Sequence, residues 1–165
     1  MEIERKFLIK DLNKLDLSKY QHKTIVQDYL YVDNFTAIRK RKISENNINK
    51  YTYTIKTSKV GISVNEIEKD ILEDEYNNLP LNPNYNTIEK ESYIIPYEKY
   101  KIELDVFKGV YQGIIFAEIE FPSEDLAYEV KLPSWFGSEL SSKITNSEMA
   151  VKPVNKIFNI LKIYY

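Results

Sequence analysis

The chain has no cysteine, and His22 is the single histidine among its 165 residues. These absences exclude disulfides, thiolate nucleophiles, cysteine-bound zinc and histidine-rich metal centres. Glycine is scarce, with 4 residues, and neither a GxxxxGK[ST] nor a GxGxxG string occurs. A bound phosphate would therefore have to be held by side chains rather than by a glycine-rich loop.

No apolar run approaches the roughly 18–20 residues that a membrane-spanning helix needs. The first residues, Met1-Glu2-Ile3-Glu4-Arg5-Lys6, are charged where a signal peptide would be apolar. We therefore expect a cytoplasmic protein with no membrane partner. Lys and Arg number 23 against 25 Asp and Glu, a net charge of -2, so we do not expect a nucleic-acid partner either.

Hydrophobic residues make up 43% of the chain and charged residues 29%, which is enough apolar material for one folded domain over residues 1–165. Eight segments alternate between apolar and polar residues, the period typical of β-strands. Helical periodicity is confined to residues 70–79, a short stretch that opens at Ser123, and residues 153–164. The pattern predicts an α+β protein with a mainly antiparallel sheet. The eight segments are residues 2–9, 24–33, 36–44, 51–58, 64–70, 88–95, 100–107 and 114–121, and one of the turns between them falls at residues 59–61.

Like charges are doubled on one face of four of these strands. The pairs are Glu2 and Glu4, Arg39 and Arg41, Glu66 and Glu68, and Glu118 and Glu120. The simpler interpretation is a sheet with one face in water, the common arrangement for antiparallel sheets. Like charges so close repel unless a ligand or counter-ion neutralises them, so the repeated pairs favour a closed barrel of about eight strands around a metal-bound polyphosphate.

Several segments, in order along nearly the whole chain, resemble motifs of the CYTH superfamily, the triphosphate tunnel metalloenzymes. Glu2-Ile3-Glu4-Arg5-Lys6 resembles the ExExK opening, and Ile38-Arg39-Lys40-Arg41 resembles the RxR strand. Further matches are Thr54-Ile55-Lys56, Glu66-Ile67-Glu68, Ile88-Glu89-Lys90, Glu103-Leu104-Asp105-Val106-Phe107, Ala117-Glu118-Ile119-Glu120-Phe121 and Pro133-Ser134-Trp135-Phe136-Gly137.

The resemblance implies a closed antiparallel β-barrel that forms a tunnel, with helices outside it. It also implies hydrolysis of a triphosphate, first of all inorganic triphosphate, with Mg²⁺ or Mn²⁺ as cofactor. By similarity, catalysis would involve Glu4, Lys6, Arg41 and Asp105. The metal would be held by Glu2, Glu4, Glu103, Asp105, Glu118 and Glu120. Phosphates would be held by Lys6, Arg39, Arg41, Lys56, Lys90 and Lys143, with Glu66 and Glu68 as further lining residues.

Two positions depart from the resemblance: Val64 and Ser92 stand where many members carry arginine. Each missing arginine would remove a charge-assisted contact of about 1.5–3 kcal/mol. The alternatives are a class IV adenylate cyclase, a thiamine or nucleoside triphosphatase, a non-catalytic binder of polyphosphate or nucleotide, and a barrel whose charged face is only solvated. The sequence leaves open which triphosphate and metal are preferred and whether the chain forms a homodimer.

Overall fold

Each of the eight alternating segments forms a β-strand in the computed structural model, which describes residues 1–60 and 62–165. The strands are β1 (Glu2–Leu8), β2 (His22–Val32), β3 (Thr36–Glu45), β4 (Ile48–Val60), β5 (Ser63–Ile71), β6 (Ile88–Tyr97), β7 (Tyr100–Phe107) and β8 (Ile115–Glu120). They close into one antiparallel barrel in the order β1-β5-β4-β3-β2-β6-β7-β8. This confirms the predicted fold class. Gly61, in the turn predicted at residues 59–61, lies outside the described residues.

Four helices flank the barrel: α1 (Glu73–Asn78), α2 (Glu124–Glu129), α3 (Asn146–Val151) and α4 (Val154–Leu161). The sequence pattern did not predict α3, which is too short for a periodic apolar stripe. Its start is nevertheless encoded: the Thr145 hydroxyl accepts from the Glu148 amide, and the Glu148 carboxylate accepts from the Thr145 amide, the reciprocal bonds of a capping box. Across residues 1–60 and 62–165, no helix has the length and apolar character needed to cross a membrane.

Two clusters of buried apolar side chains pack against the strands of the barrel. The first closes one end, where inward-facing positions of the strands become apolar and α3 and α4 pack against them; it includes Leu8, Phe107, Phe116, Met149, Ile157 and Leu161. The second lies on the outer face of β1, β7 and β8, beneath α2; it includes Phe7, Ile102, Leu104, Ile119, Ala127 and Phe136. Because apolar side chains cover both this end and this outer face, the charged inward positions are left to line the middle of the barrel.

The seam beside β1 is closed by two different segments. Among the described residues, β1 pairs with β5 at Glu2/Val64 and Ile3/Ser63, and residues 137–141 run along the edge of β1 that follows. In this strap the Gly137 amide donates to the Leu8 carbonyl and the Leu140 amide donates to the Lys6 carbonyl. A Cβ at Gly137 would lie 2.4 Å from the Leu8 carbonyl oxygen, so only glycine permits this approach. The strap thus fixes the strand that carries Glu4 and Lys6.

Candidate functional site: a charged tunnel

Two cavities, of about 730 and 690 Å³, meet inside the barrel. Both are lined by Glu4, Arg39, Lys56 and Asn146, so together they form a passage with two mouths. One mouth lies beside the β6–β7 hairpin, and the other lies between the β2–β3 turn and residues 141–148. The barrel therefore encloses a tunnel, and the alternation of each strand turns its charged face inward.

Most of the charged side chains that the sequence singled out line this tunnel. They are Glu2, Glu4, Lys6, Arg39, Arg41, Lys56, Glu66, Glu68, Lys90, Glu103, Glu118 and Glu120. Asp105 lies behind the wall, fully buried against Lys90. Lys143 is not brought to the tunnel: its ammonium lies 5.2 Å from the centroid of the Tyr164 ring, and it lines neither cavity. The interpretation that the charged face is only a solvated outer surface is wrong.

Three of the lysines that line the tunnel are bound to carboxylates. In all of these contacts the ammonium is largely withdrawn from solvent, so the pairs are strong but cost desolvation. The pairs are Lys6 with Glu118 at 3.0 Å, Lys56 with Glu2 at 2.7 Å and with Glu66 at 3.1 Å, and Lys90 with Asp105. In this state the lysines partly neutralise the acidic wall of the tunnel.

Of the two tunnel arginines, Arg41 is held by a neutral group. Arg41 donates from Nε and Nη2 to the Gln27 Oε1 atom, at 3.2 and 3.0 Å, and Gln27 donates from Nε2 to the Tyr29 hydroxyl at 3.3 Å. Burial lowers the pKa of Arg39, but the Tyr29 hydroxyl and Glu66 outweigh burial and raise it. Within residues 1–60 and 62–165, neither guanidinium lies within 4.0 Å of a carboxylate oxygen.

The carboxylates Glu4 and Glu118 form a repelling pair. The Glu118 charge, with burial, raises the pKa of Glu4 to about 7. Burial acts to raise the pKa of Glu118 as well, but Lys6 and Lys90 lower it to about 2. One proton is therefore held mainly by Glu4 near neutral pH. Burial also raises the pKa of Asp105, to about 6, although Lys90 opposes the shift.

Comparison with known proteins identifies the family. A curated inorganic triphosphatase from Acetivibrio thermocellus is 31% identical over 157 residues, which cover 92% of this chain and 94% of that protein. The chain belongs to the inorganic triphosphatase family. No family model matches it.

Solved structures agree with this family at the level of the fold. The crystal structure of an inorganic triphosphatase superposes with a TM-score of 0.64 at 27% identity, covering 93% of this chain and 96% of that one. A Pyrococcus horikoshii protein superposes with a TM-score of 0.57 at 22% identity, covering 99% of this chain and 90% of that chain. The second likeness is evidence for the barrel alone.

The donor set of this family member fits a hard divalent cation. Carboxylate oxygens are the ligands that Mg²⁺ and Mn²⁺ prefer, and the repulsion between Glu4 and Glu118 shows a local excess of negative charge. Asp105 also has a buried carboxylate oxygen, Oδ1, without a hydrogen-bond partner. Among the described residues, however, no three acidic or histidine side chains already converge on one point. The lysines occupy the carboxylates, so an ion would have to displace them.

Sequence reasoning missed Gln27, which is fully buried behind Arg41, and several lining residues: Tyr29, Lys99, Lys101 and Asn146. Gln27 and Tyr29 had a signal, because they share one face of β2 with the buried Ile25. A glutamine between two apolar residues on such a face is unusual in a core and typical of a polar interior.

Both departures from the family pattern lie in or beside the tunnel. Val64 lines the second cavity, and the buried Ser92 donates its hydroxyl to Glu103 Oε1 at 2.9 Å. Ser92 and Asp105 are also direct partners in the β6–β7 ladder. The wall therefore carries two fewer cations than the resemblance would supply.

Proposed function

We propose that the chain is a divalent-metal-dependent hydrolase that converts inorganic triphosphate to pyrophosphate and phosphate, and that it is a triphosphate tunnel metalloenzyme of the CYTH superfamily. Membership of the inorganic triphosphatase family supports triphosphate hydrolysis. The observation that carries the proposal is a tunnel lined on one side mainly by carboxylates and on the other by Arg39 and Arg41. A metal-bound polyphosphate is the ligand that satisfies both walls.

The arginines supply the first phosphate contacts in this proposal. Because neither guanidinium lies within 4.0 Å of a carboxylate oxygen among the described residues, Arg39 and Arg41 can donate to phosphate oxygens without first leaving a carboxylate. Guanidinium groups suit phosphate because their N–H donors match pairs of oxygens. A triphosphate anchored there would bring negative charge beside the tunnel lysines.

The lysines would then exchange partners. Lys6, Lys56 and Lys90 each leave a carboxylate and donate to the phosphate chain, where they stabilise the charge that develops in phosphoryl transfer. The released carboxylates become available as ligands. Glu2, Glu4, Glu118 and Glu120 would hold Mg²⁺ or Mn²⁺, with Glu103 and Asp105 near a second ion or the attacking water. The bound ion supplies Lewis-acid polarisation of phosphate oxygens.

Water activation falls to the acidic residues of β7. Glu103 lines the tunnel, so its carboxylate can orient a water molecule at the phosphate chain. Asp105 is fully buried with its Oδ2 atom bound to Lys90, and this oxygen becomes able to accept from water only after Lys90 turns to the substrate. In this scheme substrate binding itself uncovers the second acidic group.

One observation favours a wider substrate range. The second cavity ends in polar side chains, most of them uncharged: Asn34, Ser141, Ser142, Thr145 and Ser147, with the acidic Asp33 and Glu148. Such a mouth could accept the organic part of a nucleoside or thiamine triphosphate while the phosphates occupy the charged middle. A class IV adenylate cyclase would use the same charged centre but would release cyclic AMP. A cytoplasmic location, a single domain and a homodimer remain predictions.

The test is a product assay with inorganic, nucleoside and thiamine triphosphates. Each is incubated with Mg²⁺, Mn²⁺ or EDTA, and phosphate, pyrophosphate and cyclic nucleotide are measured. We expect inorganic triphosphate to give equal amounts of phosphate and pyrophosphate with metal and none with EDTA. Cyclic AMP from ATP would replace the proposal with the cyclase. Tight binding without turnover under any metal would replace it with a non-catalytic binder.

A matched pair of variants checks that the activity arises in the tunnel. Lys56→Ala removes an ammonium from the tunnel wall, and Lys69→Ala removes one from the exposed side of the neighbouring strand. We expect the first to lower kcat/KM about 10- to 100-fold, the usual range for a lost charged contact, and the second to leave it unchanged. Equal effects would mean that hydrolysis occurs elsewhere.

A further inference from the structure

We propose that Gln27 is a positioning residue that holds Arg41 toward the triphosphate through a neutral contact, and that Tyr29 supports it by accepting from Gln27 and by lying opposite Arg39. This inference rests on the proposed function, because it assigns a role to residues beside the phosphate-binding arginines. Nothing in the sequence motifs singled out these two positions.

The ladder between β2 and β3 sets this arrangement. Gln27 is the direct cross-strand partner of Arg41, and Tyr29 is the direct partner of Arg39. Directly opposed residues in an antiparallel pair have side chains on the same face and in contact range. The backbone hydrogen bonds of the ladder therefore place Gln27 and Tyr29 each opposite one arginine, and a side-chain rearrangement cannot change this register.

Gln27 is bonded through both ends of its amide. Its side chain is fully buried, with 0% exposure. The amide oxygen accepts both bonds from Arg41, and the amide nitrogen donates to the Tyr29 hydroxyl. A buried amide is costly unless it is hydrogen-bonded, so this glutamine is explained by the arginine that it orients.

Gln27 is neutral, whereas the groups that bind Lys6, Lys56 and Lys90 are carboxylates. A carboxylate of the same shape at position 27 would orient Arg41 equally well but would cancel its charge, as Glu118 does for Lys6. The guanidinium groups instead remain close and charged: burial and the Arg39 charge lower the pKa of Arg41. Two neighbouring cations on one face of β3, one of them held by a neutral acceptor, form a site prepared for a polyanion.

The test compares Gln27→Glu with Gln27→Met and with an outer control, Asn65→Asp. Gln27→Glu keeps the shape and the acceptor but adds a charge, whereas Gln27→Met removes the acceptor. Asn65→Asp makes the same amide-to-acid change at an exposed position of β5. KM and kcat for inorganic triphosphate are measured with Mg²⁺, and the Kd of tripolyphosphate is measured by calorimetry.

We expect Gln27→Glu to raise KM and the tripolyphosphate Kd about 10- to 100-fold, the effect of neutralising one charged contact, with a much smaller change in kcat. Gln27→Met should weaken binding about 10-fold or less and should shift the Arg41 Nε–H resonance in a ¹⁵N spectrum. Asn65→Asp should change none of these values. A Gln27→Glu protein that binds as tightly as the unmodified chain would overturn the inference.

A second variant keeps the inference testable if the Gln27 variants fail to fold. Tyr29→Phe removes only the hydroxyl and should raise KM severalfold while the melting temperature stays within a few degrees. Unchanged KM in that variant would contradict a positioning role for Tyr29. The proposed function is tested separately, by whether the unmodified chain hydrolyses inorganic triphosphate with metal.

Discussion

The two walls of the tunnel treat their cations differently. On the acidic wall, built mainly by β1, β7 and β8, Lys6 and Lys90 are each bound to a carboxylate. On the basic wall, built by β2 and β3, Arg41 is bound to the neutral Gln27 side chain, and Arg39 lies opposite Tyr29 in the ladder. The acidic wall is thus partly neutralised from within, whereas the two arginines have no carboxylate oxygen within 4.0 Å among the described residues. From this difference we propose that the basic wall binds the substrate first and that the acidic wall becomes active only with metal.

The acidic wall can be tested at the carboxylate that carries the shared proton. We expect Glu4→Gln to lower kcat about 100- to 1,000-fold, the range for loss of an essential electrostatic group. The same change should stabilise the metal-free protein at pH 8, because it removes the repulsion with Glu118. Phosphate release and thermal melting in EDTA measure the two effects.

The control for this variant is Glu129→Gln, which makes the same exchange at an exposed position near the end of α2. It should change neither activity nor melting temperature. Full activity in Glu4→Gln would mean that Glu4 is not a metal ligand. A strong loss of stability would mean that the negative charge of Glu4 is compensated in the metal-free protein.

The basic wall can be tested with Arg41→Gln. We expect KM for inorganic triphosphate to rise about 10- to 100-fold because one charged contact with phosphate is lost. Lys42→Gln is the matched control, since Lys42 is the next residue of β3 and its side chain leaves the opposite face. An equal rise in both variants would indicate long-range attraction rather than direct contact.

The acidic pair should also make stability and metal binding depend on pH. The pKa of Glu4 is raised from 4.5 to about 7, so its contribution to the metal-free fold is full below pH 4.5 and is lost as pH rises through 7. The pKa of Glu118 is lowered, so its contribution is present above pH 4.5 and is lost as pH falls toward 2. We therefore expect the metal-free protein to lose stability between pH 5 and 8.

Protons should compete with the metal over the same range. Below about pH 7 the apparent affinity for Mg²⁺ should fall by up to about tenfold per pH unit, because Glu4 must lose its proton to act as a ligand. Urea unfolding in EDTA and activity against Mg²⁺ concentration test the two effects. A flat stability profile that Glu4→Gln does not alter would contradict the assignment of the proton.

We expect the smallest effect on activity from a substitution outside the barrel, at the contact between Arg5 and Glu139. Arg5 donates from Nε and Nη2 to the Glu139 carboxylate, at 2.8 and 2.7 Å, and so holds the strap against β1. Glu139→Gln should destabilise the fold by about 1–3 kcal/mol, since it weakens a charged hydrogen-bonded pair. Activity per folded molecule should change little. A loss of activity as large as that of Glu4→Gln would mean that the strap controls the tunnel directly.

The barrel could be predicted because its evidence is local: alternation along each strand reports which residues share a face. The inward direction of the charged face rested on doubled charges such as Glu118 and Glu120, which an outer surface rarely needs. The short helix α3 had only its capping box as a signal.

Contacts made by loops were beyond the sequence pattern. Residues 137–141 form backbone hydrogen bonds with β1, which is far away in the sequence, and no sequence periodicity predicts such bonds. Lys143 follows this strap in a segment without alternation, so the resemblance could not tell on which side its side chain lies. Gln27 likewise depends on its cross-strand partner Arg41, which requires the register of β2 and β3.

The most direct test of the two-wall account is the sign of the change in tripolyphosphate affinity without metal. Calorimetry in EDTA would compare the unmodified chain with Glu4→Gln and Arg41→Gln. The account predicts that Glu4→Gln binds tripolyphosphate at least as tightly, because a negative charge is removed, and that Arg41→Gln binds it at least about tenfold more weakly. Equal weakening in both variants would contradict a tunnel whose walls divide metal binding from phosphate binding.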